Sequence, residues 1–201
     1  MRPFVLEGGS IETDGKGTLL TTECCLCSDN RNEYMNKEQI ADYLKEKFGL
    51  TRILWLENGE LEGDDTGGHI DTLARFCDEN TIAYVQCTDE EDPDYRELHE
   101  MEKELKAFRT LEGNPYRLIP LPMADEMIWN GQRTPATYAN FLIINGAVLL
   151  PCYKSDKDEI AQKALQKAFS DREIIGIDCR ALIKQNGSLH CVTMQYPKGV
   201  L

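Results

Sequence analysis

The chain has 201 residues, 22 Lys and Arg against 35 Asp and Glu, a net charge of −13 and 41% hydrophobic residues. That length gives about one domain with a sizeable core, and that composition excludes wholesale disorder. The acidic balance argues against nucleic acid, whose affinity comes largely from cationic contacts to phosphate, and suits a small cationic ligand.

In chain order, Pro3-Phe4-Val5-Leu6-Glu7 reads like the closing strand of an earlier unit. The first unit opens with a strand over 9–13, turns at Asp14-Gly15-Lys16-Gly17 and returns over Thr18-Leu19-Leu20-Thr21-Thr22. Asp-Gly between strand-like runs is a hairpin signal. A helix follows from about Asn36, its candidate N-cap, to Phe48, with Ile40, Tyr43, Leu44 and Phe48 on one face. Arg52-Ile53-Leu54-Trp55-Leu56 closes the unit as a strand.

The second unit repeats the plan. A strand over 69–76 turns at Asp78-Glu79-Asn80 into Thr81-Ile82-Ala83-Tyr84-Val85. Its helix runs from about Asp94 to Phe108, with Tyr95, Leu98, Met101, Leu105 and Phe108 three and four apart, and a strand over 116–121 ends it. The third unit has a strand over 138–144, a turn at Asn145-Gly146 and the strand Ala147-Val148-Leu149-Leu150. A helix over about 158–169 and the strand over 173–178 complete it, and a strand over 188–193 opens a fourth. Glycines 9, 68 and 187, with Tyr138 between, start these units. Repeats of this period predict an α/β protein of stacked or radial ββαβ units. A radial array needs closure to protect its edges, so the chain is expected to be part of a larger protein.

No apolar run approaches the roughly 20 residues that span a bilayer, and no basic segment with a long apolar stretch follows Met1. Membrane association and export are therefore not expected, and the 8 cysteines read as thiols of a reducing, cytoplasmic compartment.

Several residues could carry chemistry. His69 and Asp71 stand two apart on the expected strand and so share a face, with Gly67 and Gly68 allowing a ligand to approach the backbone. Asp64 and Asp65 add negative charge, and Asp65 joins Asp71 among the candidate substrate-binding carboxylates. The same stretch could equally be a surface turn with His69 exposed. Cys191 with the distant His69 has the form of a thiol nucleophile and its acid/base, although Cys191 could also be a core thiol. On a strand, adjacent His190 and Cys191 would face opposite ways. Glu7, before a Gly pair, could orient an imidazole or lie on the surface. Cys24, Cys25 and Cys27 lack the second paired set of a zinc site, so no metal is expected there.

The strings over 4–11 and 63–71, Tyr138-Ala139-Asn140-Phe141 and Gly187-Ser188-Leu189-His190-Cys191 resemble the agmatine deiminases. These belong with the Porphyromonas-type peptidylarginine deiminases, and the resemblance covers nearly the whole chain. It implies a five-bladed, pentein-type propeller of ββαβ units. About three blades would lie here, as one C-terminal domain over 1–201 without the N-terminal blades. It implies Cys191 as nucleophile, His69 as acid/base with Glu7 as its acidic partner, Asp71 gripping a guanidinium, and Asn140 lining the pocket. The reaction would convert agmatine to N-carbamoylputrescine and ammonia with no metal or organic cofactor. Free arginine or peptidylarginine is the alternative substrate, and a non-catalytic binding or assembly module the alternative role. Association with a second copy or with the missing blades is expected in either role. Two departures stand out. The family's Trp-x-Arg-Asp-x-Gly-Pro motif does not occur, and Asn186 stands where the family has the first glycine of Gly-Gly-x-Ile-His-Cys.

Overall fold

A computed structural model describes residues 3–196 and 199–200. Its first unit holds β1 (Glu12–Thr13), β2 (Thr18–Thr22), the short α1 (Glu23–Leu26), α2 (Lys37–Phe48) and β3 (Arg52–Leu56). The second holds β4 (Ala74–Asp78), β5 (Thr81–Gln86), α3 (Tyr95–Ala107) and β6 (Arg117–Pro122). A small hairpin of β7 (Ile128–Trp129) and β8 (Gln132–Arg133) precedes the third unit of β9 (Leu142–Ile144), β10 (Ala147–Cys152), α4 (Lys157–Ala168) and β11 (Glu173–Asp178). In each unit the central strand pairs antiparallel with the strand before it and parallel with the strand after the long helix, giving the orders β1-β2-β3, β4-β5-β6 and β9-β10-β11. These are three separate sheets, and the α/β repeat is as the sequence predicts.

The helices form for local reasons. The Asn36 side chain accepts from the Gln39 N–H while the Gln39 side chain accepts from the Asn36 N–H, closing a capping box. Gly49, at φ 66°, then ends α2 in the left-handed conformation that glycine adopts without strain. Helices also join neighbouring units. Helix α4 packs on β6 and α3 on β3. Glu104 of α3 accepts the Glu57 N–H at 2.9 Å, and Arg117 of β6 donates to the Lys167 carbonyl of α4 at 2.9 Å. Helix α2 has the segment before the first unit in that place, with Phe4 stacked on Tyr43 at 4.4 Å between ring centroids. The buried residues form one core cluster shared by the second and third units, one centred on the second, and one in the first.

The structure corrects the expected strands at every unit opening. Residues 3–7 form no strand. The segment 9–13 is a 3-10 turn at Gly8–Ser10 followed by the two-residue β1. His69 caps a 3-10 turn at Ile70–Thr72, and β4 begins only at Ala74. Tyr138 to Phe141 lie outside β9, and the expected strand over 188–193 is a 3-10 turn at His190–Val192. Hydroxyls fix these turns. Ser10 donates to the Glu7 carbonyl at 2.6 Å, Thr72 to that of His69 at 2.8 Å and Thr193 to that of His190 at 2.7 Å. Strand β2 anchors two of them, because Thr21 donates to the Ser10 carbonyl at 2.7 Å and Thr22 to that of Gly68 at 2.6 Å.

Replacing Asn36 by Ala is expected to lower unfolding free energy by about 1 kcal/mol, because the Gln39 N–H loses its acceptor on the Asn36 side chain. Urea unfolding checks this. The midpoint should fall with an unchanged slope, and an unchanged midpoint would contradict the role given to the box.

Candidate active site

The openings of the units converge. From the first comes Glu7, from the second His69 and Asp71, from the third Asn140, and from the last turn His190 and Cys191. The strand argument for His69 and Asp71 fails, yet the 3-10 turn still brings both beside Gly9. A Cβ on Gly9 would lie 2.5 Å from His69 Nδ1 and 3.0 Å from Asp71 Oδ1, so only glycine lets the backbone approach both.

Glu7 Oε2 lies 2.9 Å from His69 Nε2 and 2.7 Å from the Arg31 guanidinium. Partial burial alone would raise the Glu7 carboxyl. The hydrogen bonds from His69 and Arg31, with the Arg31 charge, outweigh it and hold the group below the usual carboxylate range. An ionised Glu7 accepts from Nε2–H, which leaves His69 Nδ1 as the nitrogen on the Gly9 and Asp71 side.

Asp71 is 1% exposed. Its Oδ2 lies 2.8 Å from His190 Nδ1 and 3.9 Å from Cys191 Sγ. Its Oδ1 is buried with no hydrogen-bond partner among the described residues. Such an oxygen loses its water for nothing unless a donor arrives, so it points to a ligand.

Asn140 is fully buried. It donates to the Asp71 carbonyl at 3.2 Å and accepts the His190 N–H on Oδ1 at 2.8 Å, with Cys191 Sγ at 3.6 Å from the same oxygen. Asn140 therefore clamps the two turns that carry Asp71 and His190 together.

The expectation that His190 and Cys191 diverge is overturned. On a 3-10 turn both reach Asp71 Oδ2. Cys191 is exposed to solvent as a residue. Burial of its sulfur, and then the Asp71 charge, push its pKa above that of an ordinary thiol.

Asn186 explains the departure from the Gly-Gly pattern. Its φ of 61° is left-handed, a region that asparagine enters more readily than most residues. Its side chain donates to Asp65 Oδ2 at 3.3 Å. Exposed Asp65 thus ties the 63–68 loop to the turn before Cys191. At the retained Gly187 a Cβ would crowd Cys191 Cβ at 3.3 Å.

The Cys24-Cys25-Cys27 group lies on and after α1, and burial lifts Cys25 to about 12. Among the described residues Glu7, Cys25 and His69 could hold a metal ion, their ligand atoms all lying within 4.8 Å of one another. Arg31 already occupies Glu7 and donates to the Cys25 carbonyl at 3.5 Å, so a dication would meet a resident positive charge. Arg31, Arg75, Glu12 and the partnering role of His190 are absent from the sequence reading. Their only signal there is residue type. An open cleft of about 480 Å³, lined by Thr13, Gly17, Leu19, Phe48 and Thr51 among others, includes none of the convergent side chains. Among the described residues no helix is long and apolar enough to cross a membrane.

Known proteins share this fold and much of this sequence. The family model described as Porphyromonas-type peptidyl-arginine deiminase matches residues 1–197. A proposed agmatine deiminase of Vibrio parahaemolyticus is 38% identical over 97% of this chain and 59% of its own. A crystal structure of the proposed arginine deiminase of Porphyromonas gingivalis superposes at a TM-score of 0.95, with 60% identity over 98% of this chain and 58% of that one. A cysteine-to-serine variant of C. jejuni agmatine deiminase with substrate bound gives a TM-score of 0.89 and 50% identity over 94% of this chain and 55% of that one. The chain therefore spans less than two thirds of the length of these relatives.

With no cation bound, the raised Cys191 pKa predicts slow alkylation at neutral pH, since the thiolate is the reacting form. Between pH 7 and pH 9 the iodoacetamide rate at Cys191, followed by peptide mass spectrometry, should climb about tenfold per pH unit without levelling. A plateau below pH 8 would contradict it.

Proposed function

The chain belongs to the Porphyromonas-type peptidyl-arginine deiminase family, and from that premise we propose that it carries the site of an agmatine deiminase-type amidinohydrolase. One observation carries the reading. Asp71 Oδ1, buried and without a partner among the described residues, and His69 Nδ1 flank Gly9, while Cys191 Sγ lies against the other oxygen of the same Asp71 carboxylate.

A guanidinium carbon is a poor electrophile because its charge is delocalised. Asp71, holding its N–H groups, fixes its orientation and localises that charge. The Cys191 thiolate adds to the carbon and gives a neutral tetrahedral adduct. His69, as imidazolium, donates a proton from Nδ1 to one nitrogen, and ammonia leaves. This forms a cationic amidino-thioether on Cys191. Neutral His69 then takes a proton from water as it attacks, and collapse returns the Cys191 thiolate and the ureido product. The remaining proton leaves with ammonia as ammonium, so the site is restored. Glu7, through Nε2, stabilises the imidazolium in both half-reactions. No step draws on a metal or organic cofactor.

Agmatine is favoured by the Vibrio relative and by the C. jejuni variant with substrate bound, whose altered residue is a cysteine. Free arginine is the second reading, supported by the name of the P. gingivalis structure. With agmatine the product would be N-carbamoylputrescine, which suits a role in putrescine and polyamine biosynthesis, and the 8 cysteines, read as thiols, suit a cytoplasmic setting. Three units of one repeat, in a chain under two thirds of its relatives' length, fit a pentein-type propeller completed by further blades or by a second copy. Residues 1–201 are in that reading one C-terminal domain.

Incubation of the purified chain with agmatine and with arginine, beside Cys191→Ala, tests this. We expect ureido product from agmatine, a larger kcat/KM for agmatine than for arginine, and a loss of at least about a thousandfold in the variant. No product from the unaltered chain, or an unchanged rate in Cys191→Ala, would overturn the enzymatic reading. A preference for arginine would overturn the substrate.

A further inference from the structure

Behind Asp71 lies a buried chain of polar groups that the reaction itself does not require. Arg75 is 3% exposed and Glu12 8%. Arg75 donates from Nε to Glu12 Oε2 at 2.6 Å and from one terminal nitrogen to the Phe141 carbonyl at 2.8 Å. Glu12 Oε1 accepts the Phe76 N–H at 3.1 Å. The other terminal nitrogen of Arg75 lies 3.3 Å from His190 Nε2, and His190 Nδ1 lies 2.8 Å from Asp71 Oδ2.

These contacts fix a proton. An arginine side chain has only donors and stays protonated. Its partner on His190 must therefore be a lone pair, so Nε2 carries no hydrogen. An imidazole unprotonated at Nε2 carries its single hydrogen at Nδ1. We infer that Arg75 locks His190 as the neutral Nδ1–H tautomer, which makes His190 a positioning residue that donates to Asp71 Oδ2 and leaves Asp71 Oδ1 anionic and free for a cation.

The alternatives differ in consequence. An imidazolium at His190 would set two donors against each other at Arg75. It would also neutralise the charge on Asp71 that the site offers to a ligand. The Nε2–H tautomer would leave Asp71 Oδ2 facing a lone pair in a buried space. Glu12 offsets the Arg75 charge, so Arg75 acts at Asp71 through the tautomer and not as a second cation. The tautomer follows from the contacts alone. Its use in guanidinium binding rests on the deiminase reading above.

The chain has 3 histidines. Imidazole ¹⁵N spectra of the histidine-labelled chain at pH 8 therefore identify His190 by the signals lost in His190→Asn. The expected spectrum has a protonated Nδ1 and an unprotonated Nε2 at His190. A protonated Nε2, an imidazolium or a fast-averaged pair would overturn the inference, whether or not the chain turns over agmatine. In Arg75→Lys, which keeps the charge facing Glu12, the fixed pattern should give way to averaging. A pattern unchanged in a folded Arg75→Lys would remove Arg75 from the role.

In the active protein, His190→Phe should lower kcat/KM for agmatine about 10- to 100-fold, chiefly through KM, as loss of a hydrogen bond to a charged group. His190→Asn should recover most of it, because its amide nitrogen occupies the place of Nδ1–H. Equal losses in both variants, or none in His190→Phe, would overturn the positioning role.

Discussion

The structure is organised around one carboxylate that has been taken out of water. Asp71 is nearly fully buried, with His190 on one oxygen and no partner on the other among the described residues. A charged oxygen left in that condition costs stability, and folded proteins keep few of them. Its surroundings are arranged to hold it there unneutralised. Asn140 fixes its backbone, Gly9 leaves room in front of it, and among the described residues no Lys or Arg side chain pairs with it. Arg75 comes close, but its charge faces Glu12. A planar cation with several N–H donors is the ligand that such an oxygen complements, which is why the guanidinium reading follows from the site's chemistry as well as from its relatives.

The repeat gives this carboxylate its company. Each unit opens with an irregular segment, and these segments meet. Had they been strands, alternate side chains would have pointed away from the centre. The 3-10 turns among them instead bring neighbouring residues inward together, as His190 and Cys191 demonstrate at Asp71. Thr21 and Thr22 of β2 hold two of these turns by their carbonyls, and Thr137 holds the carbonyl of Thr72 at 2.9 Å. Hydroxyl anchors of this kind let backbone outside a sheet satisfy its acceptors in a buried position.

The sequence made much of this legible, and the failures share one cause. Central and closing strands such as 18–22, 52–56 and 173–178 appear where their apolar runs and flanking turns place them. The three long helices match within a residue or so, since periodicity and caps are local signals. The opening strands fail because an apolar run beside glycine suits a strand and a buried turn alike, and long-range hydroxyl bonds decide between them. The same limit applies to the site. Glu7, His69, Asp71 and Cys191 could be named as candidates by residue type and motif, whereas Arg31, Arg75 and Glu12 act through partners 24, 115 and 63 positions away. Nothing in their local sequence distinguishes them from surface charges.

A tension remains inside the site, and its resolution belongs to the chemistry. In the proposed reaction, the negative charge that would attract a guanidinium also disfavours the thiolate that would attack it. Burial and Asp71 both raise the Cys191 pKa in the empty site. A bound cation reverses the second effect. It satisfies Asp71 Oδ1, offsets the carboxylate charge and places a positive centre beside the sulfur, each of which favours the ionised thiol. In the proposed reaction Cys191 is then reactive chiefly when a cation is present to attack. An empty site keeps Cys191 as the thiol, which is less open to oxidation and stray alkylation than a standing thiolate. On this view the buried carboxylate both selects the substrate and times the nucleophile. Holding His190 neutral serves both ends, since a second fixed cation beside Asp71 would weaken the attraction and ionise the sulfur before substrate arrives.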